Sequence, residues 1–204
     1  MSSTNNINTE EKILSAAAEI FQEKGYDGAR MQEIADKANI NKGLLHYYFK
    51  TKDILFDAIF SIALKRMVSN IHSILAMELP LEEKMDMIID GYMNLLLRNA
   101  TLPRFVINEL SKDADRFIAK HLNSSANSIF IDFDASVKKE VNAGRIKQID
   151  SRHLFMNLIS LIVFPFVGKP MLQVIISIDN KEFHALMQER REAVKSFMKM
   201  ALRP

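Results

Sequence analysis

Along the first fifty residues the apolar positions fall into three short helical stripes. Ile13, Leu14, Ala17, Ile20 and Phe21 recur at three- and four-residue spacing, which is the period of an amphipathic helix. Thr9 is placed to cap this helix and Lys24-Gly25 to end it. A second stripe, Met31, Ile34, Ala35 and Ala38, stops at Asn39, one of the few residue types besides glycine that tolerates a left-handed backbone. Asn41 then supplies a capping oxygen for a third helix. In that helix Leu45 and Phe49 share one face, while Lys42, Gly43, His46 and Tyr47 share another. The pattern predicts a short helix, a tight turn and a second short helix. One face of the second helix packs against the first, and the other is free to meet DNA.

The remaining pattern is helical throughout. Thr51 caps a fourth helix with Asp53 in its first turn and apolar residues at 55, 58, 59 and 62, running to about Leu75. Pro80 and Glu82-Glu83 open another that continues through Arg98, and Pro103 suits the first turn of a short helix with Phe105, Val106 and Leu110. From about Asp115 to Ala143 the positions Ile118, Leu122, Ile129, Phe133, Val137 and Val141 predict the longest helix of the chain, ended by Gly144. Asp150 caps a segment, Leu154 to Phe164, that is apolar nearly all round and so is buried on more than one side. Asp179 begins a last amphipathic helix with Phe183, Leu186, Met187, Val194, Phe197 and Ala201 inside. Met171 to Ile178 has strand-like composition, but a lone strand would find no partner in the chain. The fold class is therefore all-α.

Composition sharpens the functional reading in one place only. The chain has 204 residues, 48% of them hydrophobic, and 27 Lys plus Arg against 25 Asp plus Glu; this marks a globular protein whose overall charge points to no partner. Residues 1–53 hold seven basic and eight acidic side chains, yet 37–52 carry four lysines, His46 and no acid. The positive field is thus concentrated on the predicted third helix. At that helix's start a lysine and a glycine favour phosphate, since backbone N–H groups there attract an anion and glycine admits close approach. Tyr47 and Tyr48 each offer a hydroxyl donor to phosphate, and Arg30 sits near the start of the preceding helix.

Gly25-Tyr26-Asp27-Gly28, Met31, Ile34-Ala35, Asn41-Lys42-Gly43, Tyr47-Tyr48-Phe49 and Lys50-Thr51-Lys52 resemble the DNA-binding domain of the TetR family of bacterial repressors, across about residues 9–56. Three positions depart from the usual family pattern: Ala29 stands for a capping Thr, Asn39 for a turn Gly, and His46 for a common Tyr. The resemblance implies a helix-turn-helix three-helix domain at 1–52 and a helical effector-binding and dimerisation domain at 53–204. Lys52 resembles the family's backbone-clamping lysine. The DNA-binding candidates are therefore Arg30, Asn41, Lys42, Gly43, Leu44, His46, Tyr47, Tyr48 and Lys52. The resemblance also implies an effector cavity among the fourth to eighth helices, with Tyr92, Leu96, Phe105, Asn108, Phe117 and His121 as candidates. Leu158, Ile162, Val194 and Phe197 are candidates for the dimer interface, because the last two long helices carry more apolar surface than a monomer easily covers.

Other chemistries find little support. There is no cysteine, phosphate-binding glycine loop, nucleophile elbow or zinc-protease motif. Of His72, His121, His153 and His184, only Asp150-Ser151-Arg152-His153 approaches a di-iron motif, and Asp150 is more simply a cap. The expectations are no enzyme activity, no metal and no cofactor. The polar start, Ser2 to Asn8, lacks the features of a signal peptide, and the apolar run Leu158–Val167 is about half of what a bilayer requires. A cytoplasmic protein with no membrane partner is expected. The function expected is a ligand-responsive transcriptional regulator, a repressor that binds double-stranded operator DNA as a homodimer and is released by a small apolar or amphipathic effector. The alternative is a helical ligand-binding or adaptor protein acting through protein partners.

Overall fold

A computed structural model of the chain describes residues 2–100, 102–122 and 124–203, with side chains for 8–100, 102–122 and 128–203. Among the described residues there are ten helices and no strand. They form two compact units, one up to Lys65 and one from Arg66 onward. The boundary between them lies inside the fourth helix.

The first unit contains α1 (Ser2–Gly28), α2 (Met31–Lys37), α3 (Lys42–Tyr48) and the first turns of α4 (Lys52–Leu75). Helix α1 starts earlier than the sequence pattern predicts, so Thr9 lies within the helix and does not cap it. Nothing in the polar stretch from Ser2 breaks a helix, because it holds neither Gly nor Pro. Gly25, at φ 70°, interrupts α1 where its end is expected, in a left-handed conformation that a β-carbon disfavours. The core is built from the predicted stripes. Ile13, Ala17, Ile34, Ala35, Leu45 and Leu55 are completely buried. Salt bridges from Lys24 to Glu33 (2.8 Å) and from Lys37 to Glu19 (2.8 Å) and Glu23 (3.2 Å) add ties between α1 and α2.

The second unit holds the end of α4 with α5 (Leu81–Arg98), α6 (Leu102–His121), α7 (Ser124–Asn142), α8 (Ser151–Val167), α9 (Lys169–Ile175) and α10 (Asn180–Leu202). The long helix expected over 115–143 is two, since α6 ends at His121 and α7 begins at Ser124. Around this break the sequence reads Asn123-Ser124-Ser125, residue types that rank low in helix propensity. The short helix beginning near Pro103 is the first part of α6. Asp113 takes an extended conformation, and its carboxylate accepts from the N–H of Arg116 (3.0 Å), so the chain restarts there as a capped helix. Caps at α8 and α10 fall as predicted: Asp150 accepts from the N–H of Arg152, and Asp179 forms a capping box with Glu182. Residues 169–175 are helical, as α9, and none of them is buried.

Helices α5 and α10 pair most extensively. Their buried edges meet through Met85, Ile89, Met93, Val194, Met198 and Leu202. Beside this seam Asp86, Asp90 and Asn94, spaced by four, meet Lys199 (2.6 Å), Lys195 (2.8 Å) and Arg191 (2.5 Å) in reverse order. That reversal is the register of antiparallel helices. The nearly all-apolar α8 turns Leu154, Leu158, Ile162 and Phe166 into the core.

Candidate nucleic-acid interface

The turn between α2 and α3 is held by backbone geometry and a side-chain cap. Asn39 adopts φ 55°, the left-handed conformation expected of it, and the Asn41 side chain accepts from the N–H of Leu44 at 2.7 Å. Leu45 is completely buried and Phe49 is 5% exposed, so one face of α3 is fixed in the core. The opposite face is thereby held outward: Lys42, Gly43, His46 and Tyr47 are all exposed, Tyr47 to 76%. A β-carbon at Gly43 would lie 3.2 Å from the capping oxygen of Asn41, so glycine here leaves the cap uncrowded as well as leaving the backbone approachable.

The other candidates differ in how they are presented. Leu44 and Arg30 are exposed, while Tyr48 is half-buried with its ring edge-on to Tyr47 at 5.5 Å. His46 Nδ1 lies 3.3 Å from the carbonyl oxygen of Lys50. Since a carbonyl only accepts, that contact requires the proton on Nδ1. Of the four lysines of 37–52, Lys42 and Lys50 are exposed, whereas Lys37 is shared between two glutamates. Lys52 is turned inward. Its ammonium donates to the carbonyls of Tyr26 (2.8 Å) and Ala29 (3.2 Å) and sits 4.4 Å from the centre of the Tyr26 ring. Tyr26 in turn packs edge-on to Phe56 and donates its hydroxyl to Asp53. Lys52 therefore anchors the start of α4 to the segment entering α2, and Arg30, the N-cap of α2, makes no side-chain capping bond.

The effector candidates are scattered through the second unit. Leu96 and Phe117 are buried, Tyr92, Phe105 and His121 half-buried, and Asn108 exposed. Phe117 and His121 do meet, ring centres 4.7 Å apart, and burial pushes the Tyr92 phenol upward from its ordinary value. A cleft of about 600 Å3 lies elsewhere, between α7 and residues 148–152, with Phe130, Val137, Val141 and Ile149 beside Lys138 and Arg152. None of the six candidates lines it. Among the described residues, no group of three or more His, Asp or Glu is arranged to hold a metal ion, and no single helix is long and apolar enough to cross a membrane.

The dimer candidates differ in exposure. Leu158, Ile162 and Val194 are at most 2% exposed within one chain. Phe197 is 51% exposed and Leu186 38%, although the helical period had placed both inside. The outer apolar surface of these helices consists of Met156 and Phe164 on α8 and Leu186, Phe197 and Met200 on α10.

A capped helix-turn-helix whose second helix offers basic, hydroxyl and glycine positions on its only free face, within an otherwise helical chain, defines the class of helix-turn-helix transcriptional regulators. Residues 13–59 match the family described as bacterial regulatory proteins, tetR family. It is 25% identical over 154 residues to the uncharacterized HTH-type transcriptional regulator YhgD of Bacillus subtilis, spanning 71% of this chain and 75% of that protein. Over 47 residues, 23% of this chain and 25% of the other, it is 40% identical to the HTH-type negative transcriptional regulator IcaR of the Staphylococcus aureus biofilm operon icaADBC. Its fold is similar to the crystal structure of the transcriptional regulator FadR from Bacillus subtilis in complex with stearoyl-CoA, with a TM-score of 0.58 and 20% identity over 91% of this chain and 97% of that one.

Proposed function

We propose that the protein is a repressor that binds operator DNA as a homodimer and is released by a small apolar or amphipathic effector. The observation that carries the DNA-binding reading is the outward face of α3, where Lys42, Gly43, His46 and Tyr47 stand exposed because Leu45 and Phe49 hold the other face in the core. Lys42, Gly43 and the first N–H groups of α3 contact phosphate, Tyr47 donates its hydroxyl, and Leu44 and His46 reach the groove. A negative regulator among the relatives supports repression. Two copies meet through Met156 and Phe164 of α8 and Leu186, Phe197 and Met200 of α10, the exposed apolar positions of the last two long helices. Such a dimer matches an inverted repeat whose half-sites lie about 34 Å, or one helical turn, apart.

The effector binds in the second unit and shifts α4, and the two recognition helices lose the spacing that fits successive major grooves. A fold neighbour solved with stearoyl-CoA supports an effector with a large apolar part. Moving the population from 1:99 to 99:1 requires about 5.5 kcal/mol of differential affinity. Selection of bound fragments from genomic DNA tests the first half of the proposal. An inverted repeat is the expected product, and recovery of no enriched sequence overturns the reading. For the second half, an apolar library is screened by thermal shift and the hits are tested for release of the recovered site. Hits that raise the melting temperature yet leave DNA affinity unchanged overturn the coupling.

A further inference from the structure

Ser128 and Asp132 lie four residues apart on α7 and so share one helix face, toward which His72 reaches from the last turn of α4. The Ser128 Oγ is 3.0 Å from His72 Nε2, and His72 Nδ1 is 2.9 Å from a carboxylate oxygen of Asp132. A carboxylate beside Nδ1 selects the tautomer with the proton on that nitrogen, leaving Nε2 as a base toward the serine hydroxyl. This is the hydrogen-bond order of an activated serine nucleophile, which is recognised by geometry and not by position in the chain. The group is open to solvent: the His72 side chain is 29% exposed, that of Asp132 is 47% exposed, and Ser128 is half-buried.

We propose that Ser128 is an acyl-acceptor site, which takes an acyl group from activated esters or thioesters with His72 as general base and Asp132 as the residue that orients it. In the step, a bond forms between the Ser128 Oγ and the acyl carbon, and the bond from that carbon to the leaving alcohol or thiol breaks. The serine proton passes to His72 Nε2 and then to the leaving group, with no change of oxidation state. Ser128 lies within α7, where its own N–H is committed to the helical ladder. Its backbone therefore adds no donor for the oxyanion, which is the largest single source of rate in serine hydrolases. The expected chemistry is accordingly one slow acylation per chain, with hydrolysis slower still, and not turnover. An acylated Ser128 can no longer donate to His72, so the modification removes a polar link between α4 and α7. This inference is independent of DNA binding.

The test uses the full chain and p-nitrophenyl acetate, with nitrophenolate release followed by absorbance and the acetyl group located by peptide mass mapping. The expected result is about one equivalent of nitrophenolate and an acetyl group on Ser128 that hydroxylamine removes, as it does an ester and not a lysine amide. His72→Gln and Asp132→Asn should each slow labelling of Ser128 by roughly a hundredfold, with circular dichroism showing each variant folded. Should one variant fail to fold, the other still decides. Ser73 and Ser111, whose hydroxyls donate to backbone carbonyls, serve as internal controls. Labelling of Ser128 no faster than of these two, or at an unchanged rate in a folded variant, overturns the proposal.

Discussion

Lys42 and Lys52 have the same charge and lie ten residues apart, but their settings predict opposite consequences of removing them. Lys52→Met keeps the aliphatic stem and deletes an ammonium that donates to two carbonyls and lies over an aromatic ring. A hydrogen bond from a charged group contributes about 1.5–3 kcal/mol, and a partly exposed cation–π contact about 0.5–1. Lys52 is half-buried, so the lower ends apply and the cost is about 2–4 kcal/mol. At roughly 4–8 °C per kcal/mol for a unit of this size, the amino-terminal transition should fall by on the order of 10–30 °C. Lys42→Ala removes an exposed charge and should leave that transition within about 2–4 °C, corresponding to the ~0.5 kcal/mol of an ordinary surface substitution. DNA binding reverses the order. Lys42→Ala should flatten the slope of log K against log salt by about 0.9 for each protomer engaged, whereas Lys52→Met should leave the slope unchanged at temperatures where the protein is folded. Fluorescence anisotropy over a salt series and a thermal melt read both quantities. A flattened slope with an unchanged melt for Lys52→Met would refute the anchoring role and make Lys52 a phosphate contact.

Tyr47→Phe deletes a hydroxyl from a side chain that is 76% exposed, so DNA affinity should drop about tenfold with stability unchanged; a large loss of melting temperature would show the ring to be structural. Leu158→Ala should cost about 2–5 kcal/mol in chemical denaturation, as a core truncation does, while Phe197→Asp should leave the protomer folded and yield monomer in sedimentation. A normally stable Leu158→Ala protein, or a dimeric Phe197→Asp protein, would contradict those placements. Acid should weaken the second unit partly through Glu140, whose carboxyl is held below the usual range by hydrogen bonds to the Arg145 guanidinium at 2.7 and 2.9 Å. A depressed folded-state pKa means that this stabilisation is complete above the ordinary glutamate value and is lost as pH falls through the lowered one. Stability of Glu140→Gln, followed by denaturant titration from neutral pH downward, should therefore fall less steeply in acid than that of the parent chain.

Signals confined to a few neighbouring residues were legible in the sequence. Asn39 and Asn41 declare a left-handed turn and a cap within three positions, and the structure shows both. Asp150 and Asp179 cap their helices as their spacing predicts. Negative signals were weaker. The apolar stripe across 115–143 continues in phase through Asn123-Ser124-Ser125, so periodicity alone ran two helices together. Cap and breaker residues inside a stripe thus carry information that the stripe itself conceals. The field around α3 was legible in composition, but the pairing of Lys37 and the inward turn of Lys52 depend on residues at least fourteen positions distant along the chain, beyond the reach of a local pattern.

The unequal exposure of the dimer candidates has a more general cause. On a helix that is apolar nearly all round, such as α8, hydrophobicity shows that both sides are covered but not which side covers what. Leu158 and Ile162 on the core side and Met156 and Phe164 on the outer side are chemically alike, and only their exposure in the folded chain separates them. The same ambiguity affects the effector candidates: Leu96 and Phe117 are buried, as ordinary core and pocket residues both are, and buried apolar character alone does not distinguish the two. A polar constellation is different, because each group must find a partner of defined geometry. His72, Ser128 and Asp132 are separated by up to sixty residues and meet within 3.0 Å, an arrangement invisible in the sequence and specific once the chain folds. Core faces in such helical proteins can therefore be read from period and interfaces from exposure, whereas reactive sites are read from the distances between polar atoms.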